Sequence, residues 1–234
     1  MIRALFLLIF LTVSTIAQSD SLRWKHYARG GMVSADTSNG GFSYYRINRR
    51  TETTFRDLRF FAYGLKADTF IYIRYKSSDK YRTRPQFYRY TTTSYRKNTR
   101  AGVSLQYHFN QGFGLFLKEY KNGRMNFEVG HAFDMSDYLN EERKTSYIKT
   151  GFFWDYDASR FSTKLELEHF QQISEINVSD LSRNQYMFEL IIPFKNGVSI
   201  NMNYELEDYL GKDQTSASSI TFAMGWQGNL KWTF

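Results

Sequence analysis

Over Ile220 to Phe234 the chain alternates with a period of two. Ile220, Phe222, Met224, Trp226, Gly228, Leu230, Trp232 and Phe234 fall on one face, and Thr221, Ala223, Gly225, Gln227, Asn229, Lys231 and Thr233 on the other. Successive side chains of a strand point to opposite sides, so this segment reads as a strand with one oily and one polar face. A strand of this kind that ends on Phe has the form of the closing, assembly-directing strand of a bacterial outer-membrane barrel, whose lipid-facing and lumen-facing residues alternate.

The same period recurs upstream. It is clearest over Val198 to Glu207, where Val198, Ile200, Met202, Tyr204 and Leu206 oppose Ser199, Asn201, Asn203, Glu205 and Glu207. Tyr186 to Phe194 follows, with Pro193 near its end marking a rim. Phe161 to Phe170, Ser146 to Tyr156, Arg124 to Asp134, Gly112 to Tyr120 and Arg100 to Phe109 complete the well-patterned strands. Phe42 to Arg49, Thr54 to Leu65, Thr69 to Lys76 and Gln86 to Tyr95 read as strands of ambiguous facing, because aromatics occupy both parities. The total is twelve, and the expected fold is an all-β, transmembrane, antiparallel up-and-down barrel over residues 41–234. Residues 18–40 are left as an N-terminal lead or, over Leu22 to Ala35, an extra strand.

Turn chemistry predicts direction. Asn122-Gly123 and Asn196-Gly197 are two-residue hairpin signals, since both central positions of a type I′ turn need positive φ. Short connections are also expected at Lys66 to Asp68, Arg96 to Asn98 and Asp157 to Ser159. Those at Ser77 to Pro85, Met135 to Lys144, Gln171 to Arg183 and Tyr209 to Ser218 are longer and polar. Short turns on one side and long loops on the other is the outer-membrane asymmetry, with the long loops outside.

The amino terminus agrees with export. Arg3 precedes an apolar run from Ala4 to Ile16, and Thr15-Ile16-Ala17 is a small-residue cleavage site, so residues 1–17 read as a signal peptide and maturation is expected at Gln18. At about 13 residues the run falls short of the roughly 20 that a spanning helix needs. The absence of Cys excludes a disulfide framework, a thiolate metal site and an amino-terminal lipid anchor. A mean hydropathy of −0.53 fits a barrel that gives half its side chains to a polar interior, and the 18% aromatic content fits interfacial girdles.

Gly41 to Leu65, Gly112 to Phe133 (GFGLFLKEYKNGRMNFEVGHAF), Ser199 to Leu210 and Ser218 to Trp226 resemble, in pattern and spacing, the YdiY-like family of salt-induced outer membrane proteins, domain of unknown function 481. The resemblance covers most of residues 41–234 and implies a small outer-membrane barrel. It carries no catalytic or binding residues to transfer.

The formal charge of +8 is unevenly placed. From Gln18 to Asn110 there are 18 Lys and Arg against 6 acids, and from Gln111 onward 12 against 17. In a closed barrel the two halves form opposite walls, so a field is expected across the lumen. Candidate basic lumen residues are Arg74, Arg89, Arg100, Lys118, Arg124, Lys149 and Lys164. Candidate acids are Glu128, Asp155, Glu166, Glu168, Glu189, Glu205 and Glu207. Two readings follow: a narrow channel for small solutes or ions whose fixed charges select what passes, or a plugged structural or surface-binding barrel in which the charges pair across the lumen.

An outer-membrane lipid hydrolase would need Ser, His and a polar orienter to converge. Of His26, His108, His131 and His169, the last two are expected on the lipid side near the outer rim and His108 inside. No nucleophile motif or metal-ligand spacing accompanies them, so no catalytic residue, metal or cofactor is assigned. Expected partners are outer-membrane lipid and lipopolysaccharide, the latter through Lys80, Arg82 and Arg84, and the barrel-assembly machinery during insertion. Export argues against nucleic acid. A lipocalin-like periplasmic carrier is the alternative fold; the terminal Phe and the aromatics Trp154, Tyr156, Phe194 and Trp232 at strand ends favour apolar residues outward.

Overall fold

The computed structural model describes residues 24–35, 38–65, 68–99, 103–136, 143–174, 180–211 and 216–230. The signal segment and the terminal Trp232 and Phe234 lie outside them. Twelve strands close into one antiparallel barrel: β1 (Trp24–Ala35), β2 (Ser38–Arg50), β3 (Thr54–Leu65), β4 (Asp68–Lys80), β5 (Phe87–Asn98), β6 (Val103–Tyr120), β7 (Gly123–Ser136), β8 (Arg143–Asp157), β9 (Ser162–Gln172), β10 (Arg183–Pro193), β11 (Val198–Tyr209) and β12 (Ala217–Leu230). Each pairs with its chain neighbours, and β1 pairs with β12 from Trp24↔Leu230 to Ala35↔Ser219. Closure matters physically, because hydrocarbon offers no partner to an unpaired strand edge.

The count of twelve is as expected, but its composition differs in two places. Trp24–Ala35 is a full strand that closes the barrel, so the barrel begins well before residue 41. The segment read as Arg100 to Phe109, described from Val103 onward, and that read as Gly112 to Tyr120 belong to one 18-residue strand, β6, with no turn at Asn110-Gln111. Alternation continues through that point: Asn110 is buried inward, where its Oδ1 accepts from the Tyr90 hydroxyl at 3.1 Å, and Gln111 is exposed. A polar pair beside Gly112 imitates a turn but is here one lumen residue and one outer residue.

One rim carries Trp24 and Leu230, the β6–β7 turn and the Asn196-Gly197 turn. Asn196 and Gly197 take φ 60° and 76° as positive-φ turn chemistry requires. Tyr120, in contrast, pairs with Gly123 across Lys121-Asn122, and neither Asn122 nor Gly123 has the positive φ expected of a type I′ turn. This is the turn rim. The opposite, loop rim carries the β7–β8, β9–β10 and β11–β12 connections. Three connections depart from the expected asymmetry. Leu65 pairs with Asp68 at the loop rim, and β5 gives way to β6 there too, so short links sit among the long loops. The 81–86 segment, with Arg82 and Arg84, sits on the turn rim: Lys80 N–H donates to Thr53 O at 2.7 Å and Phe116 N–H to Gln86 O at 2.8 Å. Merging two predicted strands into β6 while adding β1 shifts the parity of every connection between them.

The outer surface is apolar and the interior polar. Phe222, Met224, Trp226, Phe113 and Met32 are each at least half exposed on the outside. At the turn rim Tyr120, Trp154, Tyr156 and Phe161 form a ring cluster, and Trp154 Nε1–H donates to the Tyr120 hydroxyl at 2.6 Å. Amphipathic rings of this kind settle at a membrane interface.

Candidate functional site

Among the described residues, inward positions of β1 to β5 carry Arg29, Arg46, Arg50, Arg59, Arg74, Lys76, Lys80 and Arg96, against Asp57 and, at the loop-rim end of β4, Asp68. The facing strands β6 to β11 carry Glu119, Glu128, Asp134, Asp155, Glu166, Glu168, Glu189, Glu205 and Glu207 with four bases, Arg124, Lys149, Lys164 and Arg183. The walls are therefore of opposite sign.

Ion pairs join them. Arg29 Nη2 donates to Glu189 Oε1 at 2.7 Å, from β1 to β10. Arg96 Nη1 donates to Glu207 Oε2 at 3.0 Å, between β5 and β11, six places apart on the twelve-strand ring. Arg74 and Glu166 approach to 4.0 Å between β4 and β9. Lys76 Nζ donates to Glu128 Oε1 at 2.6 Å, and Lys149 reaches both Glu128, at 3.2 Å, and Glu168. Asp57 is held between Arg46, 2.5 Å away, and Arg59, 2.7 Å away. Arg183 bridges Asp134 and Glu207 at 3.2 and 3.1 Å, and Asp134 also meets His108. Burying charge in this way is tolerable only because each ion finds partners.

Arg29–Glu189, Arg96–Glu207 and Arg183–Asp134 lie in the walls of the loop-side space, and the belt across the barrel is the level of Arg59, Arg74 and Glu166. On the loop side lies a vestibule of about 1000 Å³; on the turn side a cavity of about 80 Å³. Arg59, Arg74 and Glu166 line both and separate them. The vestibule is roomy because β12 and the upper half of β1 put only small or short side chains inward: Ser219, Thr221, Ala223 and Gly225, and Gly31, Val33 and Ala35. Its third wall is aromatic, with Phe42, Phe61, Tyr63, Phe70 and Tyr72 projecting inward from β2, β3 and β4.

Of the residues singled out from sequence, Arg74, Arg124, Lys149, Lys164, Glu128, Asp155, Glu166, Glu168, Glu189, Glu205 and Glu207 line the lumen cavities. Arg89 and Lys118 do not. Arg89 belongs to the outer face of β5, whose inward residues are Tyr88, Tyr90, Thr92 and Ser94, and it reaches Asp79 at 3.5 Å. Lys118 follows a β-bulge between Phe116 and Lys118, where an extra residue reverses the facing; Lys118 then pairs with Met125, and Glu119 pairs with lumen-facing Arg124. Arg100 lies outside the described residues. Ile220, Phe222, Met224 and Trp226 face outward, and Leu230 is partly exposed.

Sequence reading missed Arg29, Arg46, Asp57, Arg59, Lys76, Arg96, Asp134 and Arg183. Asp134 and Arg183 were within reach, since they share parity with Glu128 and Glu189 on their strands. The others lie on β1 to β5, where inward aromatics blur the two faces. His108 faces inward near the loop rim. His131 is exposed on the outside, and His169, also outside, has Nδ1 2.8 Å from Asn184 Oδ1.

No family model and no curated protein matches this chain. Among solved structures it is similar to the NanC porin, with a TM-score of 0.60 and 9% identity over 86% of this chain and 98% of that one. It is also similar to the KdgM porin in complex with disordered oligogalacturonate, with a TM-score of 0.50 and 10% identity over 87% and 98%. The fold is that of an outer-membrane porin barrel. At these identities the likeness concerns the path of the chain, and the lumen described above is this protein's own.

Proposed function

We propose that this barrel is a narrow, low-conductance channel of the outer membrane, with its loop rim outside and its ion-pair belt as the constriction. The carrying observation is the shape of the lumen: a vestibule of about 1000 Å³ that narrows to the Arg59, Arg74 and Glu166 level and continues as a second, small cavity beyond it. A barrel built only to be filled has no need of so large a polar space. Fixed charges of both signs at close quarters act on a passing solute through its charge or dipole. Arg74 and Glu166, at 4.0 Å looser than the other cross-lumen pairs, are the pair that must part for a small solute to pass.

Planar-bilayer recording of the refolded mature protein tests this reading, with a salt gradient to give the reversal potential. Stable steps with an ion preference are expected. A second reading, the plugged barrel, is favoured by Lys76, Glu128, Lys149 and Glu168, whose charges pair with one another inside the lumen. A correctly folded, heat-modifiable barrel that stays silent would establish that alternative.

A further inference from the structure

We propose that the vestibule binds organic ammonium ions, held between the aromatic wall and an uncompensated carboxylate opposite it. This rests on the part of the channel reading that opens the vestibule to water, and not on conduction through the belt.

The aromatic wall is continuous. Phe42 and Phe61 lie 5.4 Å apart, Phe61 and Phe70 5.8 Å, and Tyr63 stacks on Phe70 at 4.8 Å and 5°. Aromatics on a barrel's outside are explained by lipid; these five face the lumen. Ring faces carry negative potential and attract cations. Within the protein the Arg96 guanidinium already lies 5.5 Å above Phe70 of this wall, and beside the wall that of Arg29 lies 4.9 Å above Tyr44.

The charge balance supplies the sign of the ligand. Five guanidinium groups and six carboxylates line the vestibule. Each guanidinium has a carboxylate within 4.0 Å. Glu205 is the exception on the acidic side: among the described residues it forms no ion pair, and its one hydrogen bond comes from Asn203 Nδ2 at 2.8 Å. Two and four positions away along the same inward face of β11, Asn203 and Asn201 have buried Oδ1 atoms with no donor, and Asn201 is only 3% exposed. Glu205 thus presents an exposed carboxylate without an ion-pair partner to the cavity, held from one side by Asn203. An unpaired carboxylate on a cavity wall forms its strongest hydrogen bonds with a charged donor, so the complementary solute brings N–H groups and positive charge. An anion would be repelled by Glu205, and a neutral sugar would supply donors without the charge.

Calorimetric titration of the refolded full-length barrel in nonionic detergent tests this with three solutes of similar size: 2-phenylethylammonium, 2-phenylethanol and phenylacetate. Maltose probes the carbohydrate alternative. The ammonium ion is expected to bind about tenfold or more tightly than the alcohol, and phenylacetate more weakly than either. Glu205→Gln should remove the preference for the ammonium while leaving alcohol binding unchanged. Asn203→Asp, which adds a second carboxylate, should tighten the ammonium, and heat-modifiable migration checks that both variants fold. Equal binding of ammonium and alcohol, no binding of the ammonium, tighter binding of phenylacetate, or maltose binding indifferent to Glu205→Gln would each overturn the proposal. Ammonium binding by a barrel that is silent in bilayers would sustain the site and defeat the channel reading; conduction without ammonium binding would do the reverse.

Discussion

Lys149 illustrates how this lumen holds charge. Its side chain is 2% exposed and its ammonium sits between Glu128 and Glu168. Glu128 in turn accepts from Lys76 and from the Tyr88 hydroxyl, which Asn126 also contacts at 2.6 Å, so the carboxylate is fully engaged. Tyr88 reaches it because Gly114 leaves room: a Cβ there would lie 2.1 Å from the Tyr88 ring. Removing one member of such a cluster leaves the others buried and uncompensated. Lys149→Ala is therefore expected to destabilise the barrel by about 3–5 kcal/mol in denaturant titration, and Lys149→Arg by clearly less, because the charge is retained. An alanine variant as stable as wild type would show that Glu128 and Glu168 are satisfied by water rather than by Lys149.

At the scale of the strand, alternation was legible wherever the outside is apolar and the inside polar. From β7 to β12 the two faces differ in kind, and Val198 to Glu207 reads almost without exception. From β2 to β4 they do not, since Phe42, Phe61, Tyr63 and Phe70 point into the lumen while Tyr45, Phe60 and Ile73 point out. Period alone cannot choose between two apolar faces. The bulge at Phe116 to Lys118 defeats period in a second way, by reversing it within one strand. Facing can be measured directly. In a background with the native tryptophans replaced by Phe, Phe113→Trp should be strongly quenched by brominated lipid, as a residue 60% exposed on the outer face. Phe61→Trp should resist lipid quenching and respond to iodide from the water side. The opposite assignment of quenchers would place the β3 aromatics outside and remove the aromatic wall from the vestibule.

For the molecule as a whole, the opposite sign of the two chain halves was legible in composition, because sequential strands are neighbours and halves must become walls. The partners within that field were not. Arg96 and Glu207 are 111 residues apart in sequence and six strands apart around the ring, and only closure and tilt bring them together. The aromatic, acidic and small-residue walls likewise become one vestibule only through closure. The central claim is that the pairs of the belt set the width of a conducting path. Single-channel conductance of wild type and of the Arg74→Ala/Glu166→Ala variant in planar bilayers tests it most directly. The account predicts small, stable steps for wild type and larger ones for the double variant, because two long side chains leave the level where the cavities meet. Silence from both folded proteins would contradict conduction, and equal steps from both would place the constriction elsewhere than at Arg74 and Glu166.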